Sequence, residues 1–331
     1  MNTPTKLGAY TLGLVAVFGA AAGIGSLVGP VGAAPDAMAT HDAAPHGGTH
    51  AESPMDTGAP RSSAAGTHLP GGLQVSENGY TFDAASSLPA GAATPVSFRI
   101  LGLDGQPVTA YDPAHDEDLH LIAVRRDLTG YQHVHPDLAA DGTWSIPLDL
   151  TAGSWRLFAD FDPAGEDPAL VLGADVAVAG DHVPQPLPEP STTAEVDGYT
   201  VTLDGELVPG RESELTLSVS RDGRPVTDLQ PYLAAYGHLV ALRDGDLAYL
   251  HVHPAGEPGD GTTQPGPDIT FYATAPSAGD YRLFLDFQHG DVVRTAEFTA
   301  RAGDTAAGGT TATPGPADGG SGHGDDGHGH G

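Results

Sequence analysis

Residues 119–136 read LHLIAVRRDLTGYQHVHP, and residues 237–254 read GHLVALRDGDLAYLHVHP. Each opens on a β-branched and apolar run, passes through Asp or Gly turn residues and closes on His-x-His-Pro, which is the pattern of a β-hairpin. In H-x-H on a strand both imidazoles point to one face, because the side-chain period is two. A turn at Asp127-Leu128 sets His120 opposite His135, and His133 opposite Ile122, diagonal to His120. Opposed residues have Cβ atoms ~4.5–5.5 Å apart and diagonal ones ~7–8 Å. Three imidazoles at that spacing can converge on one ion with bonds of ~2.0–2.1 Å. A turn at Gly245-Asp246 sets His238 opposite His253 in the same way, with His251 completing the set. Ile122 and Val124 share the histidine face, so a buried central hairpin with structural imidazoles is the competing reading.

The echo extends outward. Gly79-Tyr80-Thr81 recurs as Gly198-Tyr199-Thr200, Asp104-Gly105-Gln106-Pro107-Val108-Thr109 as Asp222-Gly223-Arg224-Pro225-Val226-Thr227, and WRLFADF (155–161) as YRLFLDF (281–287). The offset is 118 through Pro136 and 126 at the RLF strand, so the second copy carries an insertion after its HVHP, in AGEPGDGTTQPGP. The chain is an internal duplication. The first copy spans 71–181 and the second 194–301. They are joined by HVPQPLPEPSTT (182–193), whose four prolines make a semi-rigid spacer.

In the first copy the pattern predicts strands near 73–76, 79–83, 94–101, 119–125, 130–135, 143–148, 153–161 and 170–178. Between Thr94 and Leu101, Val96, Phe98 and Ile100 face one way and Ser97 and Arg99 the other. No amphipathic helix follows residue 35. Short strands with regular turns predict an all-β chain of two tandem Ig-like β-sandwiches.

Flanking these copies, 34–70 and 302–331 are rich in Ala, Gly, Pro and His and poor in large apolar residues, and so read as disordered. The uncharged run 7–35 follows Lys6 and reads as an N-terminal membrane anchor, crossing the bilayer through 8–30 with the rest of the chain outside. Cleavage after Ala33 is the alternative; it makes 1–33 a signal peptide and the protein secreted. Either way the copies are exported.

Composition narrows the chemistry. The 331 residues hold no Cys, 16 His, 13 basic and 43 acidic residues, a net charge of −30. That excludes disulfide scaffolds, thiolate metal sites and thiol nucleophiles. It also excludes ordinary nucleic-acid binding, which needs positive surface to replace phosphate counterions. The 46 Gly and 29 Pro suit turns, linker and tails. Met1, Met38 and Met55 all lie outside the copies, so the sandwiches have no thioether ligand. A His-rich, Cys-free site suits Cu(II), then Zn(II). The candidate ligands are His120, His133, His135, His238, His251 and His253, one ion per copy. His115, Asp160, Asp162, Asp286 and His289 are additional candidates. The tails add His41, His46, His50, His68, His323, His328 and His330, a composition found in metal-scavenging tracts.

At the two HVHP segments the sequence resembles actinobacterial exported proteins of the heavy-metal-binding type, and its architecture is similar to the small copper-handling sandwiches of the CopC and YtkA/FixH kind. The resemblance implies an exported module that captures, buffers or delivers a divalent transition metal. Copper ligation through a mature N-terminal amine and first-position histidine is not carried over, because cleavage after Ala33 exposes Ala34. Two other functions fit the residues. One is a three-histidine metal-dependent hydrolase or lyase with Glu117 as base. The other is a surface module with incidental histidines.

Overall fold

The computed structural model describes residues 69–303 apart from Glu166. The expected anchor or signal segment and nearly all of both tails lie outside the described residues. Among those described, all regular structure is β, and no helix is long and apolar enough to cross a membrane.

The first repeat comprises β1 (Ser76–Glu77), β2 (Tyr80–Ala84), β3 (Ser87–Leu88), β4 (Gly91–Leu101), β5 (Leu119–Arg125), β6 (Gln132–Val134), β7 (Asp137–Leu138), β8 (Trp144–Leu150), β9 (Gly153–Phe161) and β10 (Leu170–Val178). They form two sheets, ordered β1-β2-β4-β8-β7 and β3-β10-β9-β5-β6. The second repeat comprises β11 (Thr193–Val196), β12 (Tyr199–Asp204), β13 (Glu212–Arg221), β14 (Arg224–Pro225), β15 (His238–Arg243), β16 (His251–Pro254), β17 (Asp268–Thr274), β18 (Gly279–His289) and β19 (Val292–Ala302). Its sheets are β11-β12-β13-β17-β16, with β14 on β13, and β15-β18-β19. Apart from the short β3 and β7, these are the expected strands of copy one, within a few residues at each end. Val96, Phe98 and Ile100 are buried and Ser97 is exposed, as the alternation requires.

Each sandwich has its own core. Trp144, Trp155, Phe98 and Phe161 anchor the first, and Tyr199, Phe271, Tyr281 and Phe287 the second. A third cluster joins them: Ile122, Val124, Leu128 and Phe158 from repeat one pack with Val240, Leu242, Leu247 and Phe284 from repeat two. This explains why LHLIAV is apolar at nearly every position. Leu119, Leu121 and Ala123 face the repeat's own core, while Ile122 and Val124 face the other repeat. A strand covered on both faces reads as a continuous apolar run. The repeats accordingly lie in one compact unit.

The linker is tied to this interface. Leu187 packs against the shared cluster, and the Gln185 N–H donates to Asp127 Oδ2 at 2.9 Å. Leu128 and Leu247, at the tips of the two hairpins, hold φ of 62° each while their side chains are buried in the shared cluster. A left-handed conformation costs a non-glycine residue ~1–2 kcal/mol, which apolar burial at the interface offsets.

Candidate metal centre between the repeats

The hairpin register in repeat one is the one expected. Leu121 pairs with Val134, Ile122 with His133 and Ala123 with Gln132. His120, His133 and His135 are brought together, with ring centroids 5.0–5.3 Å apart. A ligand atom from each lies within 4.8 Å of the other two.

Repeat two departs from expectation. Leu242 bridges to Tyr249 and Leu250 N–H bonds Ala241 C=O, which is the expected register. Beyond Leu250 the chain changes sheets. β16 pairs with β17 instead, from His251↔Thr274 to Pro254↔Phe271, and the Ala255 N–H to Thr270 C=O bond extends that ladder. His238 is therefore not opposite His253. Instead His253 lies beside Tyr272, with Nε2 3.8 Å from Glu212 Oε2. The side chain of His251 lies outside the described atoms. In repeat one the same crossover waits until Asp137, after both histidines have been delivered to β5.

His238 joins the first repeat's histidines across the interface. Its ring stacks on His120 at 5.5 Å and 8°, and lies 4.6 Å from His133. In a second set of donors, His133, His238 and Asp286, one ligand atom from each likewise lies within 4.8 Å of the other two. Asp286 is the cross-strand partner of His238 on β18. Its Oδ2 accepts from His133 Nδ1–H at 2.9 Å, and its Oδ1 accepts from the Thr295 hydroxyl at 2.6 Å. The side chains of His133 and Asp286 are 1% and 3% exposed.

The other candidates divide. The His115 ring lies 6.0 Å from His120 and 5.6 Å from His238, at the cluster's edge. Asp160 pairs in register with His120, but its carboxyl engages the Tyr249 hydroxyl, and burial raises its pKa to about 6. His289 is elsewhere, with Nδ1 2.6 Å from the Tyr199 hydroxyl and Nε2 3.1 Å from Asp228. Glu117 Oε1 sits 3.7 Å from His135 Nδ1 at the half-exposed rim.

Sequence reasoning missed the tyrosines. Tyr131 of repeat one stacks on Phe284 of repeat two at 4.0 Å and 5°, and its hydroxyl reaches Asp286 Oδ2 at 3.4 Å. Tyr249 of repeat two packs on Phe158 of repeat one at 5.8 Å and bonds Asp160. Each repeat's tyrosine thus clasps the other repeat's aspartate. The signal was present: a Tyr stands two residues before the first His of both HVHP motifs, on the histidine face by strand period.

Burial favours the neutral form of three of these imidazoles. Burial first, then His133, hold His120 down to about 3 and His135 to about 4. Burial pushes His238 well below the usual histidine range. The two nitrogens of His133 face different partners, Nε2 at 3.0 Å from His120 Nδ1 and Nδ1 at 2.9 Å from Asp286 Oδ2. A neutral His120 has one proton. If it serves the Ala114 carbonyl, 2.9 Å from Nε2, Nδ1 is left without one toward His133, 3.0 Å away. If it serves His133, Nε2 faces a carbonyl oxygen. In addition, His135 Nε2 and His238 Nδ1 are buried with no hydrogen-bond partner among the described residues. Unpaired buried polar atoms are scarce in folded proteins because each costs ~1–3 kcal/mol.

A family model described as a domain of unknown function, DUF8832, matches residues 74–177 and again 194–304. No curated protein sequence matches the chain. Among solved structures, the Yersinia pseudotuberculosis adhesin InvE is similar at 14% identity over 69% of this chain and 60% of its own, with a TM-score of 0.21. Invasin, a bacterial integrin-binding protein, is similar at 11% identity over 69% of this chain and 40% of its own, with a TM-score of 0.20. The chain thus spans less than two thirds of either structure.

Proposed function

The chain belongs to the DUF8832 family in both of its repeats, and from that premise we propose that it is an exported binding protein for a divalent transition metal, Cu(II) before Zn(II), held between the repeats. The carrying observation is the pair of buried imidazole nitrogens, His135 Nε2 and His238 Nδ1, that have no partner among the described residues, beside the 3.0 Å His120–His133 contact. A cation bound in this cluster gives such lone pairs a partner, and neutral imidazole is the form that ligates. His120, His133 and His135 form the primary site. Contacts beyond the ligands support the reading: the Ala114 carbonyl fixes His120, Asp286 fixes His133, and Glu117 faces the far nitrogen of His135. Such partners orient metal-bound imidazoles and raise their basicity. Capture, buffering or delivery outside the membrane is the corresponding role, and the acidic surface would concentrate cations near the protein.

The test uses the full chain with its seven tail histidines replaced by asparagine, titrated calorimetrically with Cu(II) and Zn(II) near neutral pH. Tight binding that is abolished in the combined His120→Ala, His133→Ala, His135→Ala variant supports the function. No tight binding to the parent chain refutes it.

A further inference from the structure

We propose that the inter-repeat cluster is binuclear, with two divalent ions on either side of His133 and its imidazole as the bridge. This rests on the metal-binding reading above and extends it.

The two ring nitrogens of His133 point to opposite sides of the cluster. Nε2 faces His120 Nδ1 at 3.0 Å, and Nδ1 faces Asp286 Oδ2 at 2.9 Å. The lone-pair directions of an imidazole diverge, so one ion cannot take both nitrogens. The donors divide accordingly into His120, His133, His135 and His133, His238, Asp286, and His133 alone is common to both. Each set also contains one of the two unpartnered buried nitrogens, His135 Nε2 in the first and His238 Nδ1 in the second. A single ion in the first set would leave His238 Nδ1 unsatisfied. Two ions satisfy every one of these atoms.

The second position has two imidazoles and a carboxylate, a donor set that suits Zn(II) or Cu(II). The hydroxyls of Thr295 and Tyr131 already orient its carboxylate. When the second ion binds, a metal–nitrogen bond forms at His133 Nδ1 and the N–H bond there breaks. Its proton leaves to solvent, and the ring remains as imidazolate. The imidazolate and Asp286 each carry one negative charge against the four positive charges of the two ions. The position also draws on both repeats, with His133 from one and His238 and Asp286 from the other, so it exists only while the interface is closed.

The experiment again uses the full chain with its tail histidines replaced by asparagine, loaded with Cu(II) and dialysed. Two ions per chain are expected, with an electron paramagnetic resonance signal well below that of the bound copper, because imidazolate couples the two spins antiferromagnetically. Asp286→Asn should retain one ion, whose signal accounts for all of the copper. His135→Ala should also retain one, at the other position. One ion per chain in the parent overturns the bridge while leaving the metal-binding function intact. Two ions with a fully accounted, uncoupled signal overturn it as well. No bound ion defeats both readings. The parent measurement needs no substitution at the site, so a variant that fails to fold does not spare the proposal.

Discussion

Phe284→Ala tests whether the two sandwiches stand or fall together. Phe284 is on β18 of repeat two, fully buried, and its ring lies 4.0 Å from that of Tyr131 in repeat one. Its neighbours in the shared cluster include Ile122, Val124 and Phe158 of repeat one. Truncating such a ring removes its transfer free energy and leaves a cavity between two sheets that cannot collapse independently, at a cost of ~3–5 kcal/mol. In a folded unit of this size each kcal/mol moves the melting point by ~2–4 °C, so the expected loss is ~6–20 °C. The assay exploits where the indoles lie. Both tryptophans of the chain, Trp144 and Trp155, are in the core of repeat one. Thermal unfolding of the metal-free chain followed by tryptophan fluorescence therefore reports on repeat one while the substitution is in repeat two. The whole shift should appear in that signal. A tryptophan transition that stays within about 1 °C of the parent would mean the repeats melt independently, and the shared core would lose its energetic meaning.

Three further outcomes are expected of the metal-free protein. His120 and His238 are buried neutral, so unfolding takes up protons below their unfolded value near 6.5. Stability should fall as pH drops from that value, by ~2 kcal/mol for each of the two at pH 5, measured by urea unfolding. His238→Leu should remove about half of that dependence. Burial raises Asp160 to about 6, so its ionised form opposes folding as pH rises through that value. Asp160→Asn should therefore stabilise the protein by up to ~3 kcal/mol at pH 8 and by only ~0.5 kcal/mol at pH 4. Gly173→Ala should destabilise the first repeat by ~1–3 kcal/mol, as overpacking does. Its Cβ would fall 2.0 Å from the Gly72 carbonyl oxygen and 2.6 Å from Arg156, which donates to that same oxygen. Thermal unfolding showing no change for Gly173→Ala would contradict that packing.

The sequence made the strands, the duplication and the first hairpin's register legible, because each depends on local signals: alternation from Thr94 to Leu101, repeated turn residues, and two-residue spacing of histidines. The second triad was misread because the reason lies outside the hairpin. Leu250 is the last residue to keep the register with β15, and the gain from pairing β16 along β17 is a long-range term that a hairpin pattern does not contain. The crossing of partners was equally hidden. Asp286 was identifiable as a candidate beside His238, but its bond to His133 depends on how two sandwiches face one another. The apolar residues on the histidine face, Ile122 and Val124, did carry the warning that this face is covered. They could not say that the cover is the other copy.

The crossed clasp of Tyr131 on Asp286 and Tyr249 on Asp160 bears on the chain's ancestry. Equivalent residues reach across in both directions, which is the arrangement that a two-fold axis imposes on identical subunits. A lone repeat carrying both the tyrosine and the aspartate would leave each without its counterpart and would leave an apolar sheet face bare. Pairing with a second copy of itself restores both. The duplication then reads as the fusion of a symmetric homodimer into one chain. Fusion freed the two halves to diverge, so that one could keep both histidines on its central sheet while the other turned its H-x-H strand toward the opposite sheet.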